Sequence, residues 1–368
     1  MMPSSFDVAI AGGGPGGSAT AISLLSRAPS LSIVLIEASR YDRYRVGETL
    51  PPPARAILDH LAVWNSFKSQ LHQEAHGTSA AWGDVWPHDN DFFYQPANIG
   101  WHLDRTAFDA MLANEAQLRG AELILDTRVR DAQRANKGWR LKLSNGNAIA
   151  ARFIVDATGG ASLARRCGAR FEETDSLVGI AGFFDNANGN PRTLVEAFEF
   201  GWWYTAGLPQ RRRIVVCMSD ADVARRRRMH ETKEWRRTLA AMPHVGAMVG
   251  KSEIAKTVII RSASSRRLEP VMGSDWLAVG DSASRFDPLS SQGIVKALRS
   301  GIFASYAITD LLERGDQAGL KRYSRYVSEE FKSYKEIRGK YYREEKRWPE
   351  SEFWRRRQGR ANAPVIVT

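Results

Sequence analysis

The first forty residues constrain the fold more than any other stretch. Phe6 to Ala11 is a short, mostly apolar run that reads as a buried strand, and it feeds Gly12-Gly13-Gly14-Pro15-Gly16-Gly17. Gly12, Gly14 and Gly17 match GxGxxG, and the small residues from Gly17 to Leu25 continue as a helix able to pack closely on a sheet. Glu37 closes a second strand, Ser32 to Ile36, at the distance where a dinucleotide-binding unit keeps its ribose-binding acid. GxGxxG alone is weak. Strand, glycine turn, helix and acid together predict an α/β, Rossmann-like unit with a pyrophosphate at the helix N-terminus. A nicotinamide dinucleotide suits the same fingerprint, and Arg40 would even suit a 2′-phosphate.

A second stretch, near the other end, bears on that choice. Trp276 to Val279 reads as a buried parallel strand turned by Gly280 and Asp281, and Asp287-Pro288 through Gly293 lead into a helix starting near Ile294. A strand ending at an acid, followed by a Ser- and Gly-rich loop and a helix N-terminus, suits a polyol and a phosphate. Two nucleotide-contacting turns in one chain favour FAD. A third strand, Phe153 to Asp156, likewise ends at an acid followed by Ala157-Thr158-Gly159-Gly160.

Between these segments, Tyr44 to Pro53 is a rigid loop, because its three prolines neither extend a strand nor sit inside a helix. Within it, Arg45 would reach a phosphate or ribityl group and Glu48 would face a ring system, unless both are exposed loop charges. Ala80 to Phe93 and Ile99 to Leu103 read as strands with Trp82, Trp86 and Trp101 as packing residues. Asp104 is a candidate N-cap for a helix running to Arg119, beside Arg105. Glu122 to Val129, Trp139 to Ser144 and Ala148 to Asp156 read as strands, with a turn at Asn145-Gly146. Asp175 to about Ser264 reads as antiparallel sheet with helical interruptions, carrying Gly201-Trp202-Trp203-Tyr204 and a basic helix in the Arg225 to Leu239 region. Ile294 to Arg314 and the charged Leu320 to Glu345 read as helices. The expected organisation is an FAD-binding unit from 1–78, 104–170 and 266–318, a substrate β-sheet unit from 79–103 and 171–265, and a basic helical C-terminal segment, 319–368.

The totals exclude several classes. A chain of 368 residues with 25% charged and 43% hydrophobic residues is long enough and apolar enough to build a large core. No run approaches the roughly 18 apolar residues that a membrane span needs, and the start leads directly into a strand, so the expected location is cytoplasmic. Cys167 and Cys217, fifty positions apart without histidine-rich neighbours, support neither a metal site nor a disulfide framework. The formal charge is +11 and unevenly spread. Lys321 to Arg360 holds 14 basic and 7 acidic side chains, and Arg211 to Arg237 holds 10 and 4. Such regions are solvated faces or meet an acidic partner. Nucleic acid is not expected, since no recognition module accompanies the arginines.

Taken in order, GxGxxG with Glu37, the Asp156-Ala157-Thr158-Gly159 turn, and Gly280-Asp281 with Asp287-Pro288 resemble the single-component FAD monooxygenases of the para-hydroxybenzoate hydroxylase fold. Arg45-Val46-Gly47-Glu48 and Phe286-Asp287-Pro288-Leu289 with Gly293 are similar to the branch that holds tryptophan halogenases and LodB/GoxB-type flavoproteins. The latter serve cysteine tryptophylquinone formation in partner amino-acid oxidases. Gly201 to Pro209 and Arg347-Trp348-Pro349 with Phe353-Trp354 look most like the LodB type. Halogenases carry Trp-x-Trp-x-Ile-Pro, where this chain has Tyr204 in place of the second Trp. They also use a lysine after the Val-Gly-Glu loop, and no lysine occurs between Gln70 and Lys137.

The resemblance implies FAD contacts from Gly12, Gly14, Pro15, Gly17, Glu37, Arg45, Arg105, Val129, Asp156, Gly280, Asp281, Pro288, Ser291 and Gly293. Glu48, Pro288, Trp202 and Tyr204 are implied on the flavin and substrate face. The implied activity is hydroxylation, through a flavin C4a-hydroperoxide, of a tryptophan in a precursor amino-acid oxidase, with an external reductant of unknown identity. Two alternatives stay open: a hydroxylase or halogenase of a small aromatic compound, and a flavin-binding maturation factor without catalysis.

Overall fold

The computed structural model describes residues 4–95, 97–160, 162–185, 190–250 and 257–359. Residues 360–368 of the expected C-terminal segment lie outside them.

The first strand, Ser4–Ala11, lies at the centre of a seven-stranded sheet, parallel to Ile33–Ile36 on one side and to Ala148–Asp156 on the other. Glu122–Ile124 adds a parallel edge beyond Ile33–Ile36. The far edge of Ala148–Asp156 is divided. Its first half pairs antiparallel with Gly138–Leu143, and its second half pairs parallel with Trp276–Ala278. That division puts the ends of Ser4–Ala11, Ala148–Asp156 and Trp276–Ala278 side by side, so all three glycine-and-acid turns emerge at one edge. Helices Pro15–Arg27 and Gly293–Arg314 pack on each other there. A Cβ on Gly301 would lie 2.5 Å from the Gly16 carbonyl oxygen, so the helices meet backbone to backbone.

A second seven-stranded sheet runs Ile259–Ser262, Leu177–Phe184, Arg212–Asp220, Gly201–Leu208, Arg192–Phe198, Gly77–Ala81, His88–Asp91. It is antiparallel throughout except where Arg192–Phe198 meets Gly77–Ala81. One face carries Trp203 and Phe198 under Trp235 and Leu239 of helix Thr232–Ala240. The other carries Ala181, Trp202, Val216 and Met218 with Tyr342, Phe353 and Trp354 from the C-terminal helices.

Several expectations need correction. Glu122 to Val129 is not one strand: Glu122–Ile124 joins the parallel edge, and Val129–Ala135 forms a hairpin with Gly138–Leu143. Ile99 to Leu103 does not extend the second sheet. Gly100–His102 pairs with Thr49–Leu50 and Gln73–Ala75 in a separate three-stranded sheet. Trp86 is 70% exposed in the turn before His88–Asp91, whereas Trp101 is buried. The single basic helix is two, Ala221–Arg226 and Thr232–Ala240.

Part of the charge of the two basic regions is neutralised within the fold. Arg356 and Arg357 pair with Asp220, Arg338 with Asp175 and Asp287, Arg347 with Glu345, and Arg212 with Asp104. Among the described residues, no helix is long and apolar enough to cross a membrane, and no group of acidic, His and Cys side chains could hold a metal ion.

Candidate functional site

One cavity of about 950 Å³ joins the glycine turns to the second sheet. At one end it is lined by Gly12, Gly14, Pro15, Glu37, Arg45, Arg105 and Val129, and further along by Gly280, Asp281, Pro288, Ser291 and Gly293. A Cβ on Gly16 would lie 3.4 Å from Gly280, so the two turns predicted from opposite ends of the sequence touch. The sheet wall is Gly179, Ala181, Tyr204, Val216 and Met218.

The cavity suits a long dinucleotide. Helices Pro15–Arg27 and Gly293–Arg314 both open onto it without a side-chain cap and without an acid in the first turn. Free N–H groups and the positive ends of two helix dipoles therefore face the same space, as a pyrophosphate and the anionic edge of a flavin require. Gly12, at φ +112°, has room for no side chain, since a Cβ would lie 2.2 Å from the Ala157 carbonyl oxygen. Gly14 has nothing within 4 Å at its Cβ position, leaving its backbone bare to the cavity.

The charged lining is held by ion pairs. Glu37 accepts from the Gly13 N–H at 2.9 Å and from Arg45 at 2.8 Å, while Arg45 also donates to Asp109 at 2.7 Å. Arg105 forks onto both oxygens of Asp109 and onto the carbonyls of Val46 and Gly47. Asp109 has no exposure and anchors both arginines, yet in sequence it is one acid in a helix, legible only as the i+4 partner of Arg105. Asp281 pairs with Lys296 at 2.9 Å and with Arg285 at 3.6 Å; burial works against its charge, but those cations hold its carboxyl below the usual range.

Three expected contacts lie elsewhere. Gly17 does not line the cavity: its Cβ would lie 1.9 Å from the Gly12 carbonyl oxygen, so it serves the close packing of helix on strand. Asp156 is turned inward, accepting from Thr158, Ser282 and the N–H groups of Leu163 and Ala164, and so shapes its turn without reaching the cavity. Trp202 does share a sheet face with Tyr204. That end of the face, however, is roofed by the C-terminal helices, and the Trp202 Nε1–H donates to the Tyr342 hydroxyl at 3.0 Å.

Glu48 and Tyr204 do meet at the cavity. The Tyr204 hydroxyl donates to Glu48 Oε2 at 3.4 Å, while Glu48 Oε1 is buried and makes no well-formed hydrogen bond. Burial raises the Glu48 pKa to about 7, outweighing the nearby Arg105 charge. Its ordinary value is 4.5, so folded protein loses stability from this group as pH rises from there through about 7; below 4.5 the contribution is fully present. The span corresponds to about 3 kcal/mol. Glu48→Gln is expected to flatten that part of the stability–pH curve, as urea unfolding on either side of the window would measure.

The profile of the tryptophan halogenase family matches residues 7–74 and 67–366. The chain belongs to that family. This member is 27% identical over 365 residues to a Marinomonas mediterranea protein bearing the name FAD-dependent oxidoreductase LodB, covering 96% of this chain and 97% of the other. Its fold is similar to the myxobacterial chondrochloren halogenase CndH, with TM-score 0.88 and 23% identity over 96% of this chain and 86% of that one. It is also similar to QhpG, a peptidyl tryptophan dihydroxylase essential for tryptophylquinone cofactor biogenesis, with TM-score 0.79 and 24% identity over 99% and 81%.

Proposed function

We propose that this family member is an FAD-dependent monooxygenase that hydroxylates a tryptophan side chain of a precursor amino-acid oxidase during tryptophylquinone formation. The observation that carries the reading is the continuity of the cavity, from the two phosphate-ready helix ends to an apolar wall of Gly179, Ala181, Val216 and Met218 beside Tyr204 and Glu48. The likeness to LodB and QhpG supports the choice of substrate.

Bound FAD, reduced by an external donor, would supply oxygen activation, and the protein's part is placement and electrostatics. Gly12, Gly14 and the helix ends would take the pyrophosphate, Glu37 a ribose, and Asp281 the ribityl chain. Pro288, Ser291 and Gly293 would border the ring system. A flat indole would lie against the sheet wall of Gly179, Ala181, Val216 and Met218. One oxygen atom enters the ring carbon and the other leaves as water, with two electrons from the donor. The displaced ring hydrogen leaves as a proton, and Glu48 is the carboxylate placed to accept it. Among the described residues lining the cavity there are seven arginines and no lysine, which favours hydroxylation over halogenation.

The test is to mix the FAD-loaded protein, a two-electron reductant and oxygen with an unmodified precursor oxidase. One or two oxygen atoms added to a single tryptophan, located by peptide mass spectrometry, is the expected result. Free tryptophan with bromide should remain unchanged. No mass gain at saturating flavin and reductant would refute the reading.

A further inference from the structure

Behind the Glu48–Tyr204 pair lies a line of buried side chains that the proposed chemistry does not use. The Tyr204 hydroxyl is 3.0 Å from Thr49 Oγ1, which is 3.3 Å from Thr193 Oγ1, which is 2.9 Å from His102 Nε2. Three separate pieces of chain meet here: the loop carrying Glu48 and Thr49, the strand Gly100–His102, and neighbouring strands of the second sheet. Thr193 is 2% exposed and His102 has no exposure. At the two ends, Glu48 Oε1 and His102 Nδ1 make no well-formed hydrogen bond, while backbone groups of Gly47 and Glu48 approach the carboxylate and that of Gly207 approaches the imidazole.

We propose that these five residues form a reversible hydroxyl wire, in which the charge state of Glu48 sets the direction of three hydroxyl groups and thereby the tautomer of His102. Each hydroxyl has one proton and donates once. When Glu48 is a carboxylate, Tyr204 donates to it, Thr49 donates to Tyr204, Thr193 to Thr49, and the Nε2–H of His102 to Thr193. When Glu48 takes up a proton on Oε2, the acceptor beside it among the described residues is the Tyr204 oxygen. Every hydroxyl then reverses, and His102 Nε2 becomes an acceptor with its proton on Nδ1.

The charges around the wire keep its ends in register. Arg105 faces Glu48, while Arg213 lies near both Tyr204 and His102. Burial, with Arg213 adding to it, depresses the His102 pKa to about 4, so the imidazole stays neutral while Glu48 titrates and responds by changing tautomer. Burial also raises the Tyr204 pKa, with the Glu48 charge acting in the same direction, so Tyr204 passes a proton along without losing its own.

The use of the wire rests on the proposed hydroxylation. On that reading the C–H electron pair returns to the ring and the proton goes to Glu48. The reversed wire holds that proton through Tyr204 until it exchanges out. Thr49, Thr193 and His102 are then positioning residues: they act on the substrate only through Glu48.

The experiment is nitrogen NMR of the FAD-loaded, oxidised protein labelled with 15N-histidine, with His102 assigned by its loss in His102→Asn. Ring nitrogen shifts separate the two neutral tautomers. His102 is expected to carry its proton on Nε2 well above pH about 7 and on Nδ1 well below it, with the inflection at the Glu48 value. Glu48→Gln and Thr193→Val should both lose the inflection, and Thr193→Ser should restore it. In turnover, Thr193→Val should shift the acid limb of the pH–kcat profile while Thr193→Ser should not. A His102 tautomer that stays the same across that range in the parent protein would overturn the wire whatever the turnover result. A tautomer switch in a protein that oxygenates no substrate would instead leave the wire standing and refute the hydroxylase reading.

Discussion

Asp287→Ala is expected to destabilise the fold by about 3 to 5 kcal/mol and to abolish retention of FAD. Asp287 has no side-chain exposure and satisfies three groups at once: the Leu289 N–H at 3.0 Å, the Arg338 Nε–H at 2.9 Å and the Tyr342 hydroxyl at 2.8 Å. Removing the carboxylate leaves Arg338, which is itself mostly buried, with Asp175 alone. The effect reaches the cavity because the same helix, Ala318–Glu344, holds the loop at three successive turns. Tyr334 stacks on Phe286 at 4.1 Å, and its hydroxyl oxygen accepts the Asp287 N–H at 2.7 Å; Arg338 and Tyr342 follow at four-residue spacing. Pro288, Ser291 and Gly293 are thus positioned from behind by a helix that never reaches the cavity. Urea unfolding and flavin absorbance after gel filtration measure the two effects. Asp287→Asn, which keeps the shape and one acceptor oxygen but not the charge, should fall between parent and Ala.

What could be read in the sequence was what repeats local rules. The strand–glycine–helix unit at Phe6 to Leu25, the acid at Glu37, the Asp104 cap and the Gly280-Asp281 turn each carry their signal within a few residues. Asp104 accepts from the Thr106 and Ala107 N–H groups as an N-cap should. The touching of the Gly16 and Gly280 turns depends on strand order, and ordered motifs were enough to anticipate it. Contacts set by tertiary packing were not legible. Trp202 and Tyr204 alternate correctly onto one sheet face, but nothing local says that the chain's last helices cover one and leave the other open. Thr193 and His102 carry no motif and become a site only where Gly100–His102, Thr49 and Arg192–Phe198 converge. Val129 was reachable only through the family resemblance, and Trp86 reads as core only because tryptophan usually is.

Trp354→Ala should cost about 3 to 5 kcal/mol, a large share of the roughly 5 to 15 kcal/mol that holds a typical domain together. The expected outcome is a strongly lowered melting temperature or insoluble protein, measured against Arg355→Ala, an exposed neighbour whose loss should stay within about 0.5 kcal/mol. Trp354 is fully buried, donates to the Phe198 carbonyl at 3.0 Å, and lies within 5.2 to 6.0 Å of the rings of Phe353, Trp82, Tyr342 and Trp348. One turn on, Arg357 forms a sealed ion pair with Asp220 at 2.6 Å, both side chains 2% exposed. A segment that presents as a run of arginines is therefore a plug closing the sheet face behind Trp202. A docking tail would respond in the opposite way, with Trp354→Ala leaving the melting temperature unchanged and weakening only the encounter with a partner. If stability falls as expected, the proposed recognition of a protein substrate has to be sought along the cavity lining, which includes Arg261, Arg285, Tyr204 and Glu48.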